Sequence, residues 1–158
     1  MTNPTAQSGF TLLEVMIALV IFSIGLLGLS GLQAISLQNN QVAYSRTVAT
    51  MLAYDMADRI RANNPAPPAI PANYATAPLI SHDCVNSTCT SAQMAEQDRF
   101  EWNAAVADPN NNLLNAVGSI ALAGTTYTIT IGWDENRTGA TISCGSAGIA
   151  CVSIAVTP

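Results

Sequence analysis

The chain contains no lysine. Its basic side chains are five arginines, at 46, 59, 61, 99 and 137, set against ten acids for a net charge of −5. Gripping nucleic acid through its phosphates needs a basic stripe. None is available, which argues against a nucleic-acid partner. There is one histidine, His82, so a metal cluster built on imidazoles lacks a second such ligand. The nucleophile-elbow pattern G-x-S-x-G is also missing. His82, Asp83 and Cys84 stand side by side, but a loop histidine is the plainer reading of them than a catalytic group. We expect no catalytic residue, no cofactor and no resident metal. Charge as a whole is scarce, at 9% of residues, where an average chain carries roughly 25%. With 49% hydrophobic residues, the composition excludes intrinsic disorder, which needs low hydrophobicity and high charge. The length, 158 residues, suits one domain.

The apolar residues are gathered near the N-terminus. Val15 to Leu32 reads VMIALVIFSIGLLGLSGL, with no charge and only two hydroxyls, Ser23 and Ser30. At 1.5 Å per residue this stretch makes about 27 Å of helix, near the thickness of a hydrocarbon core. No small-residue A-x-A site follows it, so a retained membrane helix fits better than a secretory signal. From Phe10 to Ser45 the only charged side chain is Glu14. A carboxylate at bilayer depth costs at least ~2.5 kcal/mol unless it is paired or near the interface. Glu14 therefore either sits at the membrane face within reach of water or awaits a positive partner. Gly25, Gly28 and Gly31 lie three apart in the same run. They suit close helix packing in lipid. They equally suit a stretch that can unwind, since an interior glycine costs ~1 kcal/mol of helix propensity.

Beyond Leu32 the pattern becomes amphipathic. Leu37, Tyr44, Val48, Met51, Leu52, Met56 and Ile60 recur at mostly three- and four-residue steps. The run stops at Asn63-Asn64-Pro65, so the spacing predicts one helix from Phe10 to about Ala62. Arg59 and Arg61 read as solvated charges near its C-terminus, favourable for the helix dipole. Pro65, Pro67, Pro68, Pro71 and Pro78 mark 64–81 as an extended connector. A second helix is predicted over Thr90–Ala107, with Thr90 and Gln93 as a capping box and Met94, Phe100 and Trp102 supplying buried surface. Four strands are predicted after it: Val117–Leu122, Thr126–Trp133, Ala140–Cys144 and Cys151–Thr157. In the second, Tyr127, Ile129, Ile131 and Trp133 alternate with threonines. Such a sheet can lie over the apolar face of the helix, an α+β arrangement.

The four cysteines, Cys84, Cys89, Cys144 and Cys151, allow three disulfide connectivities. Short spacings favour the local pairs Cys84–Cys89 and Cys144–Cys151. Four thiols also suffice in number for zinc, but their spacing is wider than in most knuckles. Oxidised pairs fit an extracytoplasmic domain behind a membrane helix.

QSGFTLLEVMIAL (Gln7 to Leu19) resembles the class III signal of type IV pilins. QNNQVAYSRTVATMLAYDMADRIRANNP (Gln38 to Pro65), behind that motif, resembles PilV-type minor pilins. The resemblance implies a type IV pilin fold, with a long N-terminal helix packed on a roughly four-stranded antiparallel sheet. It implies that residues 1–9 are a leader, that a prepilin peptidase cuts between Gly9 and Phe10, and that Phe10 is then N-methylated. Glu14 would pair with the Phe10 ammonium of a neighbouring subunit; two opposite charges in apolar packing offset part of each other's lost hydration. The leader MTNPTAQSG departs from the family pattern in carrying neither Lys nor Arg. Gly31 stands where major pilins often have a proline. The implied layout is a transmembrane and filament-core helix over 10–32, an amphipathic half over 33–62, and an extracytoplasmic connector, short helix and sheet over 63–158 that form one head with 33–62. The implied function is that of a minor pilin in an initiation or tip complex, supporting pilus assembly, twitching motility and cell adhesion. It would be held first in the bacterial inner membrane, single-pass with a periplasmic head, and then in the filament at the cell surface. Its partners would be other minor pilins, the major pilin, the prepilin peptidase and the inner-membrane assembly machinery. A minor pseudopilin of type II secretion and a membrane-anchored periplasmic binding protein are the alternatives. In such a protein Asn86-Ser87-Thr88 and Asn136-Arg137-Thr138 match the glycosylation acceptor pattern by chance.

Overall fold

The computed structural model describes residues 9–64 and 73–158. Most of the leader, and the connector prolines at 65, 67, 68 and 71, lie outside the described residues. Two compact units divide the chain, one ending at Gln41 and one running from Val42 to Pro158. Helix α1, Leu12–Ala62, contributes to both.

In the first unit every described residue is exposed, although the helix there is long and apolar enough to cross a membrane. Thr11 starts it: its Oγ1 accepts the Glu14 backbone N–H at 3.2 Å. This satisfies one of the amide donors that a helix N-terminus leaves open. The two hydroxyls of the apolar run are internally satisfied as well. Ser23 Oγ donates to the Leu19 carbonyl at 2.7 Å and Ser30 Oγ to the Leu27 carbonyl at 3.0 Å. The run therefore presents an apolar surface all round, the condition for contact with lipid or with other apolar helices.

The second unit is a head built on the C-terminal part of α1. The side chains that α1 buries there are Ser45, Ala49, Ala53, Met56, Ala57 and Ile60. The face is not centred where the large apolar residues predicted it. Met51 is 66% exposed and Tyr44 54%. Small side chains form the buried line because they let the neighbouring elements come close to the helix backbone. Trp102 of α2 (Ser91–Val106) uses that proximity: its Nε1 donates to the Leu52 carbonyl at 2.8 Å. The predicted capping box is present, with the Thr90 side chain accepting from Gln93 N and the Gln93 side chain accepting from Thr90 N.

Three strands follow a short 3-10 turn at Pro109–Asn111: β1 (Val117–Ala123), β2 (Thr126–Asp134) and β3 (Ile149–Val156). They form one antiparallel sheet in the order β1-β2-β3. Tyr127, Ile129, Ile131 and Trp133 line the core face of β2 and are buried, as their alternation predicts. The β1–β2 hairpin turns on Gly124 and Thr125, with Gly124 at φ +62°, a value glycine adopts without steric cost. Gly118 of β1 lies beneath the Trp102 ring, where any Cβ would collide with it.

The predicted strand Ala140–Cys144 is absent, and the sheet has three strands rather than four. The segment lies over the outer face of β2. Ile142 Cγ2 would be 2.6 Å from a Cβ at Gly132, and Cys151, the register partner of Gly132, is bonded to Cys144. A chain pinned across a face cannot also pair along an edge. Both faces of β2 are therefore covered at its C-terminal end, where Ile131 to Asp134 are all buried.

Candidate functional site

Four residues per step along α1 set Glu14, Ala18 and Phe22 on one side of the helix, and Phe10, just before its start, lies on the same side. Together with Val15 and Leu19 they line a shallow depression. The two residues singled out by the motif, Phe10 and Glu14, are thus brought to one face. Gly9 and Phe10 are both exposed, Phe10 at 83%. The Glu14 backbone N–H is used by the Thr11 cap, but its carboxylate has no hydrogen bond or ion pair among the described residues. The cap was readable in the sequence, because Thr11-Leu12-Leu13-Glu14 has the T-x-x-E spacing. Gly25, Gly28 and Gly31 lie inside unbroken helix, and a Cβ at any of them would meet nothing within 4 Å. No contact among the described residues requires glycine there.

The cysteines form two disulfides, Cys84–Cys89 with Cα atoms 5.4 Å apart and Cys144–Cys151 at 5.8 Å. All four sulfurs are spent, so they are not zinc thiolates. His82, Asp83 and Cys84 do not converge. His82 Nε2 lies 2.5 Å from Glu96 Oε2, Asp83 accepts from Asn86 N and Nδ2, and Cys84 is disulfide-bonded. The Asn86 hydrogen bonds hold the Asp83 carboxyl below the usual carboxylate range.

Arg59 departs from its reading as a solvated charge. Its guanidinium meets Asp55 at 3.0 Å on its own helix, and Asp98 at 3.1 Å and Glu101 at 2.8 Å on α2. Partial burial works against its charge, but the hydrogen bonds to Glu101, Asp98 and Asp55 outweigh it and raise its pKa. Asp98 is buried and also accepts from Tyr74 Oη at 2.5 Å. Burial, and then the bond to Asp98, push the Tyr74 phenol up. The cluster joins α1, α2 and the segment carrying Tyr74. It is structural, and nothing in the local sequence announces it. Arg61 does match its reading: exposed, it pairs with Asp58 at 2.8 Å.

An apolar helix with a capped start, long and apolar enough to cross a membrane, continues into a small disulfide-bonded α+β head, and that combination defines the class. Two family models match adjoining parts of the chain. Residues 4–30 match the prokaryotic N-terminal methylation motif, and residues 31–100 match the type IV pilin Tt1218 model. No curated protein and no solved structure matches the chain. The chain belongs to the type IV pilin family. It is a membrane-anchored pilus subunit, and the family is structural, not enzymatic. Membership carries with it processing by a prepilin peptidase and use of the pilus assembly machinery.

Proposed function

We propose that this subunit is a PilV-type minor pilin, acting in the initiation or tip complex of a type IV pilus. The observation that carries the reading is the open Glu14 carboxylate, one turn from Phe10 in a run, Phe10 to Ser45, that is otherwise uncharged. An unpaired carboxylate in lipid is costly, and a cation brought by a neighbour offsets part of that cost. In this reading the peptidase cuts between Gly9 and Phe10, and the new Phe10 amine is methylated. The chain waits in the bacterial inner membrane, spanning it once over 10–32, with its head in the periplasm. Assembly moves the apolar helix from lipid into the filament core, where Glu14 meets the Phe10 ammonium of an adjacent minor or major pilin. Gly25, Gly28 and Gly31 give that stretch low helix propensity, so it can loosen during the transfer.

The mature N-terminus and the phenotype of gene loss test this together. Mass spectrometry of the chain from its own cells should find N-methyl-Phe10 as the first residue. Deletion should reduce surface pili and twitching. Normal piliation with impaired protein secretion would point instead to a type II secretion pseudopilin. An intact 1–9 leader would point to an uncleaved periplasmic anchor.

A further inference from the structure

A second feature of the head has no part in the helix chemistry. Between the end of α2 and the start of β1 lies an open depression of about 500 Å³, walled by Pro109, Leu114 and Ala116 and edged by Asn112, Asn115 and Arg137. That is within the size range of ligand pockets, roughly 300–1,000 Å³. The only non-glycine residues described with positive φ are Asn112 at 57°, Asn115 at 53° and Arg137 at 55°, and all three are at this depression. Asparagine tolerates that conformation through its short polar side chain. At Arg137 the turn aims the backbone N–H groups of 137–139 at the Asp134 carboxylate, and backbone in this region also concentrates at binding sites.

The arginines are otherwise committed. Arg46 pairs with Glu135 at 3.1 Å, Arg59 is held by three carboxylates, Arg61 pairs with Asp58, and Arg99 Nη1 donates to the Ala77 carbonyl. The Arg137 side chain has neither ion pair nor hydrogen bond among the described residues. Among the described residues of this lysine-free chain it is the one arginine whose side chain has no partner. The nearby acids are occupied. Glu135 is bound to Arg46, and the Asp134 carboxylate accepts from Thr138 N at 2.9 Å and Gly139 N at 2.7 Å. Asp108 accepts from Asn110 N and Nδ2 in its own turn. The walls are held in place: Asp134 N donates to the Leu114 carbonyl at 2.9 Å and Ser45 Oγ to the Asn112 carbonyl at 3.2 Å.

We propose that this depression docks an acidic loop of another pilin subunit, with a carboxylate on the Arg137 guanidinium and an adjoining apolar side chain against Leu114 and Pro109. Charge complementarity selects the occupant, since a bidentate guanidinium–carboxylate contact over an apolar floor fits a carboxylate beside an apolar group. The proposal rests on the chain acting as a filament subunit.

A photo-crosslinking residue, p-benzoylphenylalanine, placed at Leu114 of the full chain in its own piliated cells tests it. Leu114 is 42% exposed, so the probe is accommodated. The expected result is an adduct whose partner, identified by mass spectrometry, is another pilin subunit. R137E should cut its yield at least tenfold, and R137K should retain most of it, with the unfolding midpoint of the head unchanged in both. Adduct absence, a yield indifferent to R137E, or adducts only between copies of this chain would overturn the proposal. Piliation and Phe10 methylation scored in the same cells separate that failure from a failure of the minor-pilin reading.

Discussion

The two tryptophans of the head are both buried, yet they stand on opposite sides of a hydrogen-bond ledger. Trp102 Nε1 donates to the Leu52 carbonyl at 2.8 Å, whereas Trp133 Nε1 is buried with no partner among the described residues. Losing a made hydrogen bond is destabilising, and removing a buried unsatisfied donor relieves a desolvation cost. Trp102→Phe should therefore destabilise the head more than Trp133→Phe, by about 1–2 kcal/mol. Urea titrations of the full chain in detergent micelles, followed by near-ultraviolet circular dichroism, measure the difference; equal losses would contradict the assignment. Asp134 supplies a second residue-scale prediction. The Thr138 backbone N–H holds its carboxyl below the usual carboxylate range; burial opposes this and the Gly139 N–H adds to it. A depressed folded-state pKa contributes stability that is present above the unfolded value, about 3.9, and is lost as pH falls through the folded value. The head should thus lose stability as pH drops below about 4. Asp134→Asn should lower stability at neutral pH and flatten that acid slope, which denaturant midpoints across the range would report.

At the scale of elements, regular structure followed local pattern and irregular structure did not. Thr90 and Gln93 cap α2 where their spacing predicts, and the alternation from Tyr127 to Trp133 is the buried face of β2. Both signals are carried by near neighbours, so they survive any tertiary context. Ala140–Cys144 has a plausible strand composition, but its fate depends on Gly132 and Cys151, the first several residues before it and the second several after. Gly132 leaves a gap that Ile142 fills, and the disulfide holds the segment there. Closing a loop of this size stabilises by about 2 kcal/mol in the chain-entropy account. The paired substitution Cys144→Ala/Cys151→Ala should lower unfolding free energy by about that amount and make 140–148 the first site of proteolytic nicking. A variant as stable and as resistant as the parent would show that the bridge is dispensable for the placement.

For the whole molecule, the division into two units predicts that assembly and head stability separate. Glu14 belongs to the first unit and both tryptophans to the second. Glu14→Ala should reduce recovery of the subunit in sheared pili by tenfold or more, while the midpoint of head unfolding, read from the tryptophans in the full chain, stays where it is. A shifted midpoint would mean that Glu14 acts through folding and not through assembly.

What the sequence determined by itself is what contiguous residues encode: the uncharged run that needs lipid or partners, the helix stop at Asn63-Asn64, and the capping box of α2. The short cysteine spacings favoured the two disulfides without excluding the other pairings. Tertiary structure decided the rest. It chose the alanine line of α1 over the larger apolar residues, gathered Asp98, Glu101 and Tyr74 about Arg59, laid Trp102 on Gly118, folded 140–144 across the sheet, and left Arg137 without a side-chain partner among the described residues, beside an apolar depression. Each of these depends on side chains distant in the chain meeting in space. Periodicity and spacing report which residues of one element share a face; they do not report which residue of another element will arrive there.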